Sequence, residues 1–361
     1  MIDIKLSTRA VARTTTVLML AIIIAVAGIG SGLYIATMKP PALSATKVFT
    51  IYLFAVGMDN PYYIGHIHGA QAAAAKYPNL DLVILDGRGD SGTQASQVEE
   101  AISRHIDAIL LDPNTSDALV PAARDAKRAG IPVFCTDRDI SDPSLRIAAV
   151  GSDQRHIGQV AGAYALDFLS KSGRPTPWQI VILEGTPGAL ANTERTAGWY
   201  DALNQAIAAG KVNIVADVPA SWAREPAVTA MATILAETKK IDLVLASNDE
   251  EVAGAIVSIQ AAGLTPAKDI YLIGVDASPD GLAMVKAGTE QATVAHEAYL
   301  QGYWGVDMAM KYLVNGTTPP PGKWTNNYII TGNFMVVSAN VDSTGPFGEP
   351  VGNVAQPPLP Y

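Results

Sequence analysis

The sequence predicts an α/β protein made of two doubly wound parallel-sheet domains, and three observations carry that expectation. Beyond residue 47, short apolar runs of strand length alternate repeatedly with segments of helical periodicity. The runs are continuously apolar and do not alternate with polar residues, the pattern of parallel strands covered on both faces. Nine of them fall within roughly 290 residues, more than one sheet comfortably holds, so two layered halves are expected.

The candidate strands are residues 48–56, 80–86, 106–112, 131–137, 179–185, 212–217, 241–248, 269–276 and 292–296. One helix is expected to open at Pro61, and others over 93–105, 116–129, 153–169, 193–209, 225–238 and 250–262. Gly130, Gly210 and Gly263 stand just past the last apolar positions of three of these, where a left-handed residue satisfies the final carbonyls. Pro61 and Pro226 suit first turns, which need no amide hydrogen.

Residues 1–45 carry Lys5, Arg9, Arg13 and Lys39 against Asp3, a net +3 that leaves −12 for the rest of a chain whose total is −9. An acidic folded part argues against nucleic acid or an anionic membrane surface as its partner. The uncharged run 17–36 behind the basic segment reads as an export signal or a single membrane anchor. Either way, residues from about 45 onward are expected outside the inner membrane. The single cysteine, Cys135, lies in a strand run and reads as a buried, inert thiol.

Ligands of open α/β sheets bind beyond the carboxyl ends of the strands. Here those ends carry Asp59, Asn60, Asp112, Asp137, Arg138, Asn248 and Asp276, with Arg195 and His296 beside other strand runs. Single Asp or Asn residues at strand ends are often turn formers or helix caps. The set, with two arginines interleaved, points to a convergent polar site. Carboxylates, amides and guanidinium forks suit a small polyhydroxylated ligand, whose apolar ring faces lie well on aromatic planes. Tyr62 and Tyr63, adjacent on the first helix and so about 100° apart, cannot both serve one core stripe. They are expected to form one wall of the site, with Trp222 as the other.

The ordered series NPYY (60–63), DPNTSDA (112–118), TDRD (136–139), GSDQRHIGQVAG (151–162), TERTAGW (193–199), ASNDEEVAGAI (246–256), GVDASPDG (274–281) and TVAH (293–296) resembles the type I periplasmic sugar-binding proteins, their ribose-binding branch in particular, over residues 47–341. The resemblance implies two Rossmann-like domains joined by three crossing segments, near 151–153, 296–297 and 330–332. These would divide the chain into an N-terminal domain of 47–151 plus 297–330 and a C-terminal domain of 152–296 plus 331–341. The proline-rich tail, 342–361, is expected to be disordered. Carried over residue by residue, the sugar contacts become Asn60, Tyr62, Tyr63, Asp112, Asp137, Arg138, Arg195, Trp222, Asn248, Asp276 and His296. Asp112 stands where the pattern has Asn, and His296 where it has Gln, which puts ribose itself in doubt and keeps a monosaccharide or polyol.

The resemblance further implies a monomer without cofactor or catalysis, closing on its ligand by hinge motion and delivering it to an ABC permease. The alternative is a membrane-anchored subunit presenting sugar to a receptor or kinase. The HxH of His66 and His68 is set aside as a metal pair, because helix positions two apart diverge. GRGDS at 87–91 is read as the turn that a strand-to-helix connection needs.

Overall fold

The computed structural model describes residues 47–238, 240–320, 325–349 and 359. The apolar run 17–36 lies outside them. Among the described residues no helix is long and apolar enough to cross a membrane.

The first half runs β1 (Phe49–Ala55), α1 (Pro61–Ala74), β2 (Leu80–Asp86), α2 (Ser91–Ser103), β3 (Ala108–Leu111), α3 (Val120–Arg128), β4 (Val133–Asp137) and β5 (Ala148–Ser152). The chain then enters a second half of α4 (Gln154–Lys171), β6 (Trp178–Glu184), α5 (Leu190–Ala208), β7 (Val212–Pro219), α6 (Arg224–Glu237), β8 (Leu243–Ala246), α7 (Asp249–Ala261), β9 (Tyr271–Asp276), α8 (Pro279–Ala287) and β10 (Ala292–His296). It returns through α9 (Ala298–Asn315) to β11 (Tyr328–Thr331) and ends its sheets with β12 (Asn333–Val336).

The first sheet has the order β11-β5-β4-β3-β1-β2, the second β12-β10-β9-β8-β6-β7. All pairings are parallel except β10 with β12. Passage between sheets occurs at Asp153, Glu297 and Gly332, the residues separating β5 from α4, β10 from α9 and β11 from β12.

Each sheet is buried on both faces, as its continuous apolar runs require. Along β3, Leu110 joins the core under α1 and α9, while Ile109 and Leu111 join the core under α2 and α3. The second sheet repeats this, one core against α4 and α5 and the other against α6 and α7. Paired helices approach through glycines. A Cβ on Gly302 would sit 1.9 Å from the His66 carbonyl, and one on Gly69 1.9 Å from that of Tyr299, so α1 and α9 cross at backbone contact. Gly158 and Gly198 do the same for α4 and α5.

Three departures from the sequence reading have local causes. Helix α3 starts at Val120, four residues later than the patterning suggests, because Pro121 fits only a first turn and 116–119 form the turn before it. The strands β5, β11 and β12 went unrecognised, being four or five residues long and partly Ala, Gly, Thr and Asn. The tail is not uniformly without structure. Val341–Ser343 and Pro346–Gly348 form 3-10 turns, and Phe347 is buried in a notch over Gly65 of α1, where a Cβ would meet its ring at 2.7 Å. One large aromatic with a matching hole outweighs the prolines around it.

Candidate functional site

The polar residues nominated from the sequence arrive at one place because the strands that carry them end at one edge. Asp137 is the last residue of β4, Asp276 of β9 and His296 of β10. Asn60 and Asn248 directly precede α1 and α7, and Arg138 follows β4. With Tyr62, Tyr63, Arg195 and Trp222 they line one small pocket of about 30 Å³, which Gln154 and Ala191 complete. Both halves contribute.

Asp112 is the exception among the nominated residues. Its carboxyl is fully buried, has neither oxygen hydrogen-bonded and is absent from the cavity wall. Burial, then the neighbouring Asp137, pushes its pKa well up. The sequence reading took Asp112 as a ligand contact by position in the motif. The fold instead leaves it as a buried carboxyl behind the wall, beside Arg138.

Asn60 and Asn248 show why the cap and the site readings of a strand-end Asn are compatible. Each accepts a helix amide on Oδ1, from Tyr62 N at 2.9 Å and from Glu251 N at 2.9 Å. Capping fixes the carboxamide and aims Nδ2 across the cavity. Both Nδ2 groups donate to the Trp222 carbonyl at 3.0 Å, so one oxygen of the second half takes a proton from each half.

That carbonyl is presented by a strained turn. Ser221 and Trp222 have φ of 58° and 62°, a left-handed conformation costing non-glycine residues about 1–3 kcal/mol each. Glu251 holds the turn by accepting from Trp222 N and Ser247 N, both at 2.8 Å. Asp137 (59°), Asp276 (116°) and Ala277 (52°) are strained likewise, so unusual backbone clusters at the cavity.

On the first-half wall, Arg138 donates to the Tyr63 hydroxyl at 2.7 Å and to the Asn114 carbonyl at 2.9 Å. Burial works against its charge, but Tyr63, Asp112 and Asp137 more than compensate and raise its pKa. Tyr62 donates to Asp137 Oδ1 at 2.7 Å. Burial raises the Asp137 pKa, opposed by Arg138 and by that phenol.

On the opposite wall, Arg195 donates to the Gln154 side-chain oxygen and the Ser247 carbonyl, and its guanidinium lies 5.0 Å from the Trp222 ring. His296 sits between the halves, with Nε2 3.5 Å from Asp137 Oδ1 and Nδ1 3.4 Å from Asp276 Oδ1. Ion pairs at those distances would require an imidazolium. Burial, then Arg195 and Arg138, drives the His296 pKa well below its ordinary value, so these are contacts of a neutral ring. Asp276 is pushed well up by burial and by Asp249.

The wall thus combines carboxyl oxygens, two guanidinium groups and three aromatic rings, a surface that recognises hydroxyls by paired donors and acceptors and covers an apolar ring face. Among the described residues no group of three or more His, Cys, Asp or Glu is placed to hold a metal ion. Two participants escaped the sequence reading. Gln154 ties Arg195 to His296, with Nε2 3.2 Å from the imidazole, and Gln301 Oε1 lies 3.0 Å from the Tyr62 hydroxyl, an alternative acceptor to Asp137 for its one proton. Both glutamines sit in the first turn of a helix entered directly from a crossing segment, and that location was the available signal.

Comparison with known proteins agrees with this architecture. Residues 51–317 match the periplasmic binding protein domain family. The ribose import binding protein RbsB of Bacillus subtilis is 32% identical over 271 residues, covering 75% of this chain and 84% of that protein. A solved galactofuranose binding protein superposes with a TM-score of 0.75 at 26% identity, over 82% of this chain and 96% of its own. The arabinose-transporter binding protein of Shewanella sp. ANA-3, solved with α- and β-L-arabinofuranose, gives a TM-score of 0.72 at 28% identity, over 81% and 93%.

Proposed function

We propose that this chain, which belongs to the periplasmic binding protein family, captures a monosaccharide or polyol between its halves and delivers it to an ABC importer. The observation that carries the reading is the convergence of seven strand-end and loop side chains and three helix side chains, from both halves, on one pocket. The importer role is favoured over a sensor subunit by relatives that are import binding proteins. Membership of a periplasmic binding protein family supports a folded part outside the cytoplasm, and residues 17–36 would serve as its export signal or tether.

Capture works by closure about the three crossings. Each half presents part of the wall, so a ligand completes its hydrogen bonds only when the halves meet, and binding shifts the population toward that state. The protein acts as a monomer whose closed surface the permease reads. Residues 47–152 with 298–331 form one moving body and 154–296 with 333–341 the other, one residue off the expected bounds because Ser152 and Thr331 pair in the first sheet.

A thermal-shift panel of pentoses, hexoses, polyols and amino sugars tests this. One narrow group should raise the melting temperature, because a ligand bound only by the native state stabilises it. Absence of any shift across the panel would sink the proposal.

A further inference from the structure

Asp276 enters the pocket on a backbone that its residue type ordinarily avoids. It ends β9 with φ of 116°, Ala277 follows at 52°, and both lie in the left-handed region that strains non-glycine residues. Such a turn persists only where its surroundings hold it. Ala277 N donates to Thr293 Oγ1 at 3.1 Å, Ser278 N donates to Asp249 Oδ2 at 2.7 Å, and the Ala277 carbonyl accepts from Phe347 N at 3.2 Å. Thr293 Oγ1 gives its own proton to Asp249 Oδ1 at 2.7 Å. One carboxyl thus gathers two consecutive amides of the turn, one directly and one through a hydroxyl.

The carboxyl is itself fixed. Asp249 is the first residue of α7, next to the cap Asn248, and is fully buried, as is Thr293. It lies in a slot between β9 and α8 that glycines leave open: a Cβ on Gly281 would fall 1.9 Å from Oδ2, and one on Gly274 2.7 Å from Oδ1. Burial raises its pKa to about 7, and Thr293 Oγ1 keeps a second lone pair, so protonation exchanges donor and acceptor without parting the pair. Neither side chain lines the pocket.

We propose that Asp249, acting through Thr293, is a positioning residue for ligand binding, setting the backbone that aims the Asp276 carboxyl into the pocket. The role rests on the sugar-binding reading and adds to it two buried side chains that stand outside the pocket wall. Glu251 supplies the counterpart, since it holds the Trp222 turn from the same end of α7. A strained turn released from its ties relaxes, and the Asp276 oxygens then leave the ligand hydroxyl they serve.

The experiment is calorimetric titration of D-ribose, L-arabinose, D-galactose and myo-inositol into the full chain and three variants, with amide hydrogen exchange on the same proteins free of sugar. Thr293→Val keeps the shape of the side chain and loses its hydroxyl. Exchange at Ala277 and Ser278 should quicken, and Kd for the tightest of the four probes should rise by about tenfold. Thr293→Ser keeps the hydroxyl and loses a methyl, so it should unfold at lower denaturant yet bind within about twofold of the wild type. Asp249→Ala should weaken binding as Thr293→Val does. A merely structural role predicts another pattern, lower stability in all three variants with affinity unmoved. Wild-type affinity in Thr293→Val, or an equal loss in Thr293→Ser, overturns the inference, and so does unchanged exchange at Ala277 and Ser278. A wild type that binds none of the four speaks against the sugar reading and takes this role with it, whereas unmoved variants beside a wild type that binds speak against the role alone.

Discussion

The two halves are one architecture built twice, with six described strands per sheet and glycine-notched helix pairs at corresponding places, yet the buried carboxyls near the site are held differently in each. Apart from Asp112, those of the first half are paired. Asp137 has Arg138 and the Tyr62 phenol, and the well-buried Arg146 is forked onto Asp139 at 2.5 and 2.7 Å. The second half keeps acids without such forks beneath the site. Glu290 is buried with neither oxygen hydrogen-bonded, and Asp249 is held by Thr293 Oγ1 and Ser278 N, both at 2.7 Å. A Cβ on Gly274 would lie 2.7 Å from an oxygen of each, so the two carboxyls face each other across that glycine. Burial raises both pKa values, that of Asp249 to about 7. Near the site, pairing with a cation is the rule in the first half, with Asp112 the exception, while Asp249 and Glu290 in the second half have no cation beside them and their pKa values are raised by burial.

The sharpest way to break this contrast is Arg138→Ala. Removing one member of a buried charge pair costs about 3–5 kcal/mol. The Tyr63 hydroxyl and the Asp137 carboxylate both lose a partner, so ligand-dependent stabilisation should disappear in the thermal-shift panel while circular dichroism still reports a folded chain. Unchanged affinity would mean that the cavity is not the ligand site.

A smaller effect tests the likeness of the halves. Gly302→Ala and Gly158→Ala put a methyl 1.9 and 2.1 Å from a facing carbonyl oxygen, so each should cost about 1–3 kcal/mol in denaturant unfolding. Equal losses would show that both seams are equally unyielding, and a difference would locate the softer half.

The smallest effect sharpens the contrast itself. An acid whose folded pKa is raised contributes stability fully present below its unfolded pKa and lost as pH rises toward the folded one. For Asp249 that window runs from 3.8 to about 7, and for Glu290 it opens at 4.5 and extends upward. Glu290→Gln removes one of the two losses. It should leave stability nearly unchanged at pH 4 and raise it by about 1 kcal/mol at pH 8. Equal stability gain at both pH values would mean that the carboxyl is not protonated in the folded state.

Most of the fold was legible because a strand buried on both faces has little choice but to be apolar throughout, as in AILL of β3 or LVLA of β8. The site was legible for a related reason: at a strand's carboxyl end the apolar constraint stops, and Asp137, Asn248 and Asp276 stand out against it. What escaped was whatever lacked such contrast. Gln154 and Gln301 look like ordinary helix-surface residues until the crossings turn them inward. Asp112 has the right motif position but a side chain that the fold keeps behind Arg138. His66, half of an apparent metal pair, is instead buried with both ring nitrogens unpartnered, and desolvation lowers its pKa to about 4.

Phe347 carries a last consequence. Its ring fills the notch over Gly65 of α1, while its amide hydrogen is donated to the carbonyl of Ala277, just after β9 in the other half. The C-terminal stretch is therefore a fourth tie between the halves, non-covalent where it meets α1, beyond the three crossings. Separating them has to draw an aromatic plug from its socket. A fluorophore attached near that plug would convert ligand capture into an optical signal without touching the cavity.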